Sequence, residues 1–317
     1  MTSAENYAVW TSELTKQFGG QTAVNKINLA VPKGSVFGFL GPNGSGKTTT
    51  IRMLLGLADA TDGEIELLGN KMPKQAEQAL PRVGALVEGP AFYPYLSGKV
   101  NLRRLDSASK NADPKTREQR IDRALAKVGL TNAANKKVHK YSLGMKQRLG
   151  IANALLQERD LLVLDEPTNG LDPQGTREVR NLIRSLSSDG TTILVSSHLL
   201  SEIEQLCSHV AVMSAGKIVA QGSLAELQAQ NQTYLKVVTP DAEKTLKALT
   251  DAGMKPKQET KHGLEIFTSE VEHGFDGDEV LRKLLKAKIK IKSFAVEQAS
   301  LEDRFVDLTG EGFDVVQ

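Results

Sequence analysis

Apolar residues in this chain fall into short runs separated by polar and glycine-containing stretches. Two such segments come first, around Ala8–Leu14 and Val24–Val31. Pro32-Lys33-Gly34 then turns into Ser35-Val36-Phe37-Gly38-Phe39-Leu40, an apolar run of strand length. Leu161–Leu164, Thr191–Val195 and Val210–Met213 are further runs of this kind. They are short enough for strands buried on both faces of a parallel sheet. Between them the period changes. Ile51–Leu55 has helical composition, and residues 115–130 place Ile121, Leu125 and Val128 on one helical face. Another helix begins at Ser142 and carries Leu149, Ile151, Ala152, Leu155 and Leu156. Asp62-Gly63, between strand-like pieces of residues 58–70, is a hairpin signal. Strands alternating with helices predict a mostly parallel α/β sheet.

Composition shifts near residue 222, which predicts a first domain over 1–222 and an accessory domain over 223–317. In the second, Asn231–Pro240 reads as a strand, Asp241–Asp251 as a helix and Gly263–Thr268 as extended. Asp278–Lys288 reads as a helix and Ile289–Val296 as extended. This β-α-β-α-β alternation predicts a small second α/β domain. A last helix is expected from Ser300, with Asp303 completing a capping-box pattern. Its face of Leu301, Phe305 and Leu308 fits plain core packing or a docking surface.

Bulk properties narrow the function classes. A length of 317 residues suits two domains. With 40 basic and 38 acidic residues the formal charge is +2, so no basic field for nucleic acid is evident. The single cysteine, Cys207, excludes an intramolecular disulfide framework and is consistent with a reducing compartment. No apolar run approaches the roughly 18 residues of a membrane helix. The N-terminus lacks the charged and apolar regions of a signal peptide. A soluble cytoplasmic chain is expected, and a role at a membrane requires a partner that spans it.

The most informative stretch is Gly41-Pro42-Asn43-Gly44-Ser45-Gly46-Lys47-Thr48-Thr49. An apolar strand precedes it and a helix follows, the context of the G-x-x-x-x-G-K-[ST] phosphate loop. Its glycines let backbone N–H groups turn inward around phosphate oxygens, and the helix aims its positive end at the same anion. Lys47 adds a full charge near the β- and γ-phosphates, and the Thr48 hydroxyl can ligate Mg²⁺. A second element, Leu161-Leu162-Val163-Leu164-Asp165-Glu166-Pro167, ends an apolar strand on two carboxylates. Asp165 can hold Mg²⁺ through its water shell, and Glu166 can polarise an attacking water as general base.

A third element, Tyr141-Ser142-Leu143-Gly144-Met145-Lys146-Gln147-Arg148, lies shortly before Asp165 and opens a helix. With these motifs residues 7–222 resemble the ATP-binding subunits of ABC transporters. The resemblance implies an ABC-type P-loop fold, with an N-terminal antiparallel part and a helical subdomain. The family signature is usually Leu-Ser-Gly-Gly-Gln; this chain keeps Ser142 and Gly144 but has Met145 in place of the amide. The resemblance implies that Ser142, Leu143, Gly144 and Met145 act on nucleotide held by a partner chain. Phe18 matches the aromatic that stacks on adenine, Asp172 the loop that crosses the dimer interface, and His198 the histidine near the γ-phosphate. The family's metal-contacting glutamine is replaced by Glu88, a hard anionic oxygen that can still ligate Mg²⁺. The following segment, with Phe92, Tyr93 and Tyr95, resembles the part that meets the membrane subunit. A local aromatic cluster packed under a loop is the competing reading of these three.

Glu88, the altered signature and residues 300–310 together resemble the bacitracin- and daunorubicin-resistance branch of drug-export ATPases. The resemblance implies ATP and Mg²⁺ as ligands, a homodimer, and a separate transmembrane permease. It also implies a peripheral position on the cytoplasmic face of the membrane and no nucleic-acid partner. Residues 41–49 of one chain and 142–145 of another are expected to enclose each ATP, with Glu166 and His198 positioning water. An import ATPase and a soluble ABC-type ATPase acting on ribosomes or DNA are the alternatives.

Overall fold

The computed structural model describes residues 6–298, apart from residues 90, 110–111, 230–232, 262 and 273. The helix expected from Ser300, with Asp303, lies outside the described residues. Contacts divide the chain into two compact units between Leu224 and Ala225.

The first unit opens with β1 (Tyr7–Phe18), β2 (Gln21–Ile27) and β3 (Ala30–Pro32), then β4 (Val36–Leu40) and α1 (Lys47–Leu54). β5 (Asp62–Leu67), β6 (Asn70–Met72), α2 (Ala76–Ala79) and β7 (Val83–Leu86) follow. Three helices come next: α3 (Gly98–Ala108), α4 (Arg117–Lys127) and α5 (Leu143–Ala154). β8 (Leu161–Asp165), α6 (Pro173–Ser188), β9 (Thr192–Ser197) and α7 (Leu200–Leu206) lead to β10 (His209–Ser214) and β11 (Lys217–Ser223). α8 (Leu224–Ala229) spans the boundary between the units.

Two sheets result. β2-β1-β5-β6, with β3 also on β1, is antiparallel. The six-stranded sheet runs β11-β10-β4-β9-β8-β7, and only β11 is antiparallel to its neighbour. The apolar runs are strands because both faces of this sheet are covered. Along β8, Leu161 and Val163 join the core shared with the antiparallel sheet and α1. Leu162 and Leu164 join the core shared with α4, α5 and α6. All four are fully buried. The side-chain period of two therefore places one strand in two cores, and its C-terminal end emerges between them.

One local expectation is corrected. Asp62-Gly63 is not a hairpin turn: it begins β5 and pairs with β1. Gly63 has φ +93°, and a Cβ there would sit 2.6 Å from the Leu14 Cα. The glycine serves a close backbone approach. The hairpin turn is Leu68-Gly69, both at positive φ, between β5 and β6.

The second unit contains β12 (Thr233–Thr239), α9 (Ala242–Asp251), β13 (Lys257–Lys261), β14 (Leu264–Val271), α10 (Asp278–Lys286) and β15 (Ser293–Gln298). β13 was not expected. Lys257-Gln258-Glu259-Thr260-Lys261 is exposed throughout and has no apolar period. The sheet order β13-β14-β12-β15 is antiparallel at every pairing, a β-α-β-β-α-β split arrangement. Leu235, Val237, Leu249, Phe267, Val280 and Leu284 form its core.

Candidate active site

β4 is buried at every position and feeds the glycine-rich loop directly. Gly46, at φ +109°, occupies the N-cap of α1 and offers no side-chain acceptor. The first turn of α1 also carries no acidic residue. Its N–H groups and dipole therefore keep their capacity for an anion. Ser45 Oγ is buried and has no hydrogen-bond partner among the described residues. An unpaired buried hydroxyl beside these N–H groups suits a phosphate oxygen. Lys47 folds back over the loop, and its Nζ donates to Gly41 O at 2.7 Å and Pro42 O at 3.1 Å. Burial pushes the Lys47 pKa below its ordinary value, against the opposing pull of Glu166 and then Asp165.

β8 delivers the carboxylates to this loop. Asp165 Oδ2 accepts from Thr48 Oγ1 at 3.0 Å, and Asp165 Oδ1 accepts from Ser196 Oγ at 2.5 Å. Glu166 has φ +47°, a left-handed conformation that a glutamate rarely adopts. Its N–H donates to Ser196 Oγ at 2.8 Å. Its Oε2 lies 2.9 Å from His198 Nδ1, and its Oε1 lies 3.6 Å from Lys47 Nζ. Oε1 is buried and has no hydrogen-bond partner among the described residues. A carboxylate oxygen next to a phosphate loop, held by a histidine and carrying a free acceptor, can receive a proton from water. The Thr48–Asp165 pair presents two hard oxygens in one place, the donor chemistry that Mg²⁺ takes.

Lys47, Thr48, Asp165, Glu166 and His198 thus converge within one chain. Other expected site residues are placed elsewhere or otherwise engaged. Phe18 ends β1, is 54% exposed, and has Lys16 Nζ 4.9 Å from its ring centroid. Glu88, at φ +60°, pairs its carboxylate with Arg52 of α1 rather than with Thr48 or Asp165. Ser142 is the N-cap of α5, where its hydroxyl accepts from Met145 N–H at 3.2 Å. Leu143 beside it is exposed, and Gly144 and Met145 are partly so. Asp172 caps α6, accepting from Gly175 N–H at 2.8 Å.

Sequence reading missed Ser196, Arg52 and Glu202. Glu202 Oε2 accepts from Thr168 Oγ1 at 2.7 Å and Ser197 Oγ at 3.1 Å, tying the segment after Glu166 to the one before His198. No periodicity marks these residues. The one available signal is that Ser196 and Ser197 are polar positions ending an otherwise apolar strand.

Comparison with known proteins identifies the family. The ABC transporter family profile matches residues 24–169. The bacitracin transport ATP-binding protein BcrA of Bacillus licheniformis is 42% identical, covering 95% of this chain and 97% of that protein. The daunorubicin/doxorubicin resistance ATP-binding protein DrrA of Streptomyces peucetius is 31% identical over 99% of this chain and 96% of its own. Among solved structures, cbiO1 from Clostridium perfringens, part of the ABC transporter complex cbiONQ, superposes with a TM-score of 0.64. It is 29% identical and covers 71% of this chain and 92% of its own. Phosphate loop, paired carboxylates, histidine and near full-length similarity together place the chain in the family of ABC transporter ATP-binding proteins, nucleotide-binding ATPases that power transport.

Proposed function

We propose that this ATPase drives export of a peptide-like or drug-like compound through a separate transmembrane permease. The observation that carries the reading is similarity along nearly the whole of a bacitracin transport protein, beyond the nucleotide-binding unit. No described helix is long and apolar enough to cross a membrane, and this reading assigns the translocation path to another chain. The protein then works peripherally on the cytoplasmic face.

The segment after Glu88 supplies the docking surface. Tyr93 and Tyr95 are 59% and 76% exposed. Buried Asn101 fixes the first of them, accepting from Tyr93 N–H and donating to Tyr93 O. A groove of about 410 Å³ beside it is lined by Ala91, Tyr93, Asn101, Arg104, Leu105 and Ser107. Partly exposed aromatics and an arginine are the residue types that anchor interfaces.

Two copies enclose two ATP molecules. Residues 41–49 of each copy cradle the phosphates, Phe18 stacks on adenine, and Ser142–Met145 of its twin close the γ-phosphate side. Asp172 lies in the loop between the copies. Thr48 and Asp165 would hold Mg²⁺, with Glu88 as a further oxygen once its carboxylate leaves Arg52. The ion would supply positive charge to offset that of the phosphate oxygens. Glu166 accepts a proton from the attacking water, and His198 fixes Glu166 Oε2 and faces the γ-phosphate. The second unit, which begins at Ala225, acts as an accessory regulatory or dimerisation domain.

Glu166→Gln tests this. The variant should bind ATP as wild type does, lose at least about a hundredfold in turnover, and accumulate as an ATP-dependent dimer in light scattering. A variant that hydrolyses ATP normally removes Glu166 from its role. One that stays monomeric with saturating nucleotide removes the shared sites.

A further inference from the structure

We propose that Ser196 is a positioning residue for ATP hydrolysis, setting both the metal-facing oxygen of Asp165 and the backbone of Glu166 through one hydroxyl. This rests on the reading of Asp165 as metal holder and Glu166 as base.

The Ser196 side chain is fully buried and cannot itself meet nucleotide or bulk water. Its hydroxyl has one proton to donate and lone pairs to accept. The proton goes to Asp165 Oδ1 at 2.5 Å, and a lone pair takes the Glu166 N–H at 2.8 Å. Both partners are in reach because β8 and β9 run parallel with Asp165 and Ser196 in register. With Oδ1 engaged by Ser196, Oδ2 is the oxygen turned toward Thr48. The carboxylate plane is thereby fixed before any ligand arrives.

The second bond matters because Glu166 departs from strand geometry. Its left-handed φ of +47° breaks the extended backbone at the residue after the strand ends. Ser196 holds the amide at that break, and His198, two residues further along than Ser196, holds Oε2. Two points on one strand terminus therefore determine where the Glu166 carboxylate sits. A residue in this position acts through its neighbours, so its loss should change how metal and water are used. Affinity for the nucleotide itself should not change.

The test is the step in affinity that Mg²⁺ produces for a fluorescent, slowly hydrolysed ATPγS analogue, measured with Mg²⁺ and with EDTA, alongside steady-state turnover. Asp165→Asn is the reference and should abolish the Mg²⁺ step. Ser196→Ala should reduce the step and kcat by about tenfold each, with metal-free binding within about twofold of wild type. Ser196→Cys keeps the shape with a slightly larger group that is a poor donor, and should lose nearly as much; it decides the matter if the alanine variant does not fold. If both variants keep the step and kcat within about twofold while Asp165→Asn loses the step, the inference is wrong. It is equally wrong if metal-free binding falls as much as metal-bound binding. If Asp165→Asn keeps the step, the metal reading itself fails, and this inference with it.

Discussion

Gly46→Ala isolates the role of backbone geometry in the phosphate loop. Gly46 has φ +109°, and an added Cβ would lie 2.6 Å from Ala23 O and 2.6 Å from Met213 Cε. The methionine can move; the Ala23 carbonyl belongs to β2 and cannot. Gly44 is the control. It also has a positive φ, +79°, but its Cβ would meet nothing within 4 Å. Both substitutions carry a left-handed strain of about 1–2 kcal/mol and a smaller gain of about 0.4–1 kcal/mol from a stiffer unfolded chain. The unfolded-chain gain cancels in the comparison, and the strain does not narrow the gap, because φ +109° lies further outside the left-handed well than φ +79°. The clash at residue 46 adds about 1–3 kcal/mol for an overpacked site. For a folding unit of this size that is a gap of about 2–12 °C in melting temperature. Differential scanning calorimetry of both variants without nucleotide measures it. Equal melting temperatures for Gly44→Ala and Gly46→Ala would refute the claim that close approach of β2 dictates this glycine. The same displacement moves the α1 N-terminus, so Gly46→Ala should also lose ATP binding at temperatures where it is still folded.

Two further outcomes follow from pairs of charges. Asp106 is fully buried between Arg117 Nε at 3.0 Å and Arg120 Nη2 at 2.7 Å. Asp106→Ala leaves two guanidinium groups without their counter-ion and should destabilise by about 3–5 kcal/mol, read from urea unfolding; a loss below about 1 kcal/mol would contradict it. Glu88→Gln breaks an ion pair with Arg52 in which both side chains are substantially exposed, 56% and 42%. Stability should change by less than about 1 kcal/mol, whereas half-saturation of ATPase activity by Mg²⁺ should rise severalfold. An unchanged Mg²⁺ titration would take Glu88 out of the metal site.

What could be read in advance divides by physical cause. Strands buried on both faces are written as uninterrupted apolar runs, so Leu161–Leu164 and Val210–Met213 were legible. The phosphate loop was legible because its chemistry demands fixed residue types at fixed spacing. β13 was not, since a wholly exposed edge strand held by backbone pairing to β14 needs no apolar residue. Asp62-Gly63 misled because a glycine at positive φ serves a close backbone approach as well as a turn, and sequence does not distinguish them. Ser196 was invisible for another reason. A serine ending a strand is ordinary, and its value comes from a register that only the assembled sheet creates.

The same network explains why the site can wait for nucleotide without collapsing. Lys47 is 5% exposed, and its ammonium would be costly to bury alone. Gly41 O, Pro42 O and the Glu166 carboxylate surround it, and Asp165 lies close enough to add to the pull. Glu166, in turn, is held at Oε2 by His198 and at its N–H by Ser196, while Oε1 keeps no hydrogen-bond partner. Lysine and glutamate therefore stabilise one another in the absence of ligand. An incoming triphosphate offers Lys47 a stronger anionic partner than a carboxylate oxygen 3.6 Å away. As Lys47 turns to it, Glu166 loses its nearest cation but keeps its bonds to His198 and Ser196. The geometry that keeps Glu166 in place while this happens is set from β9.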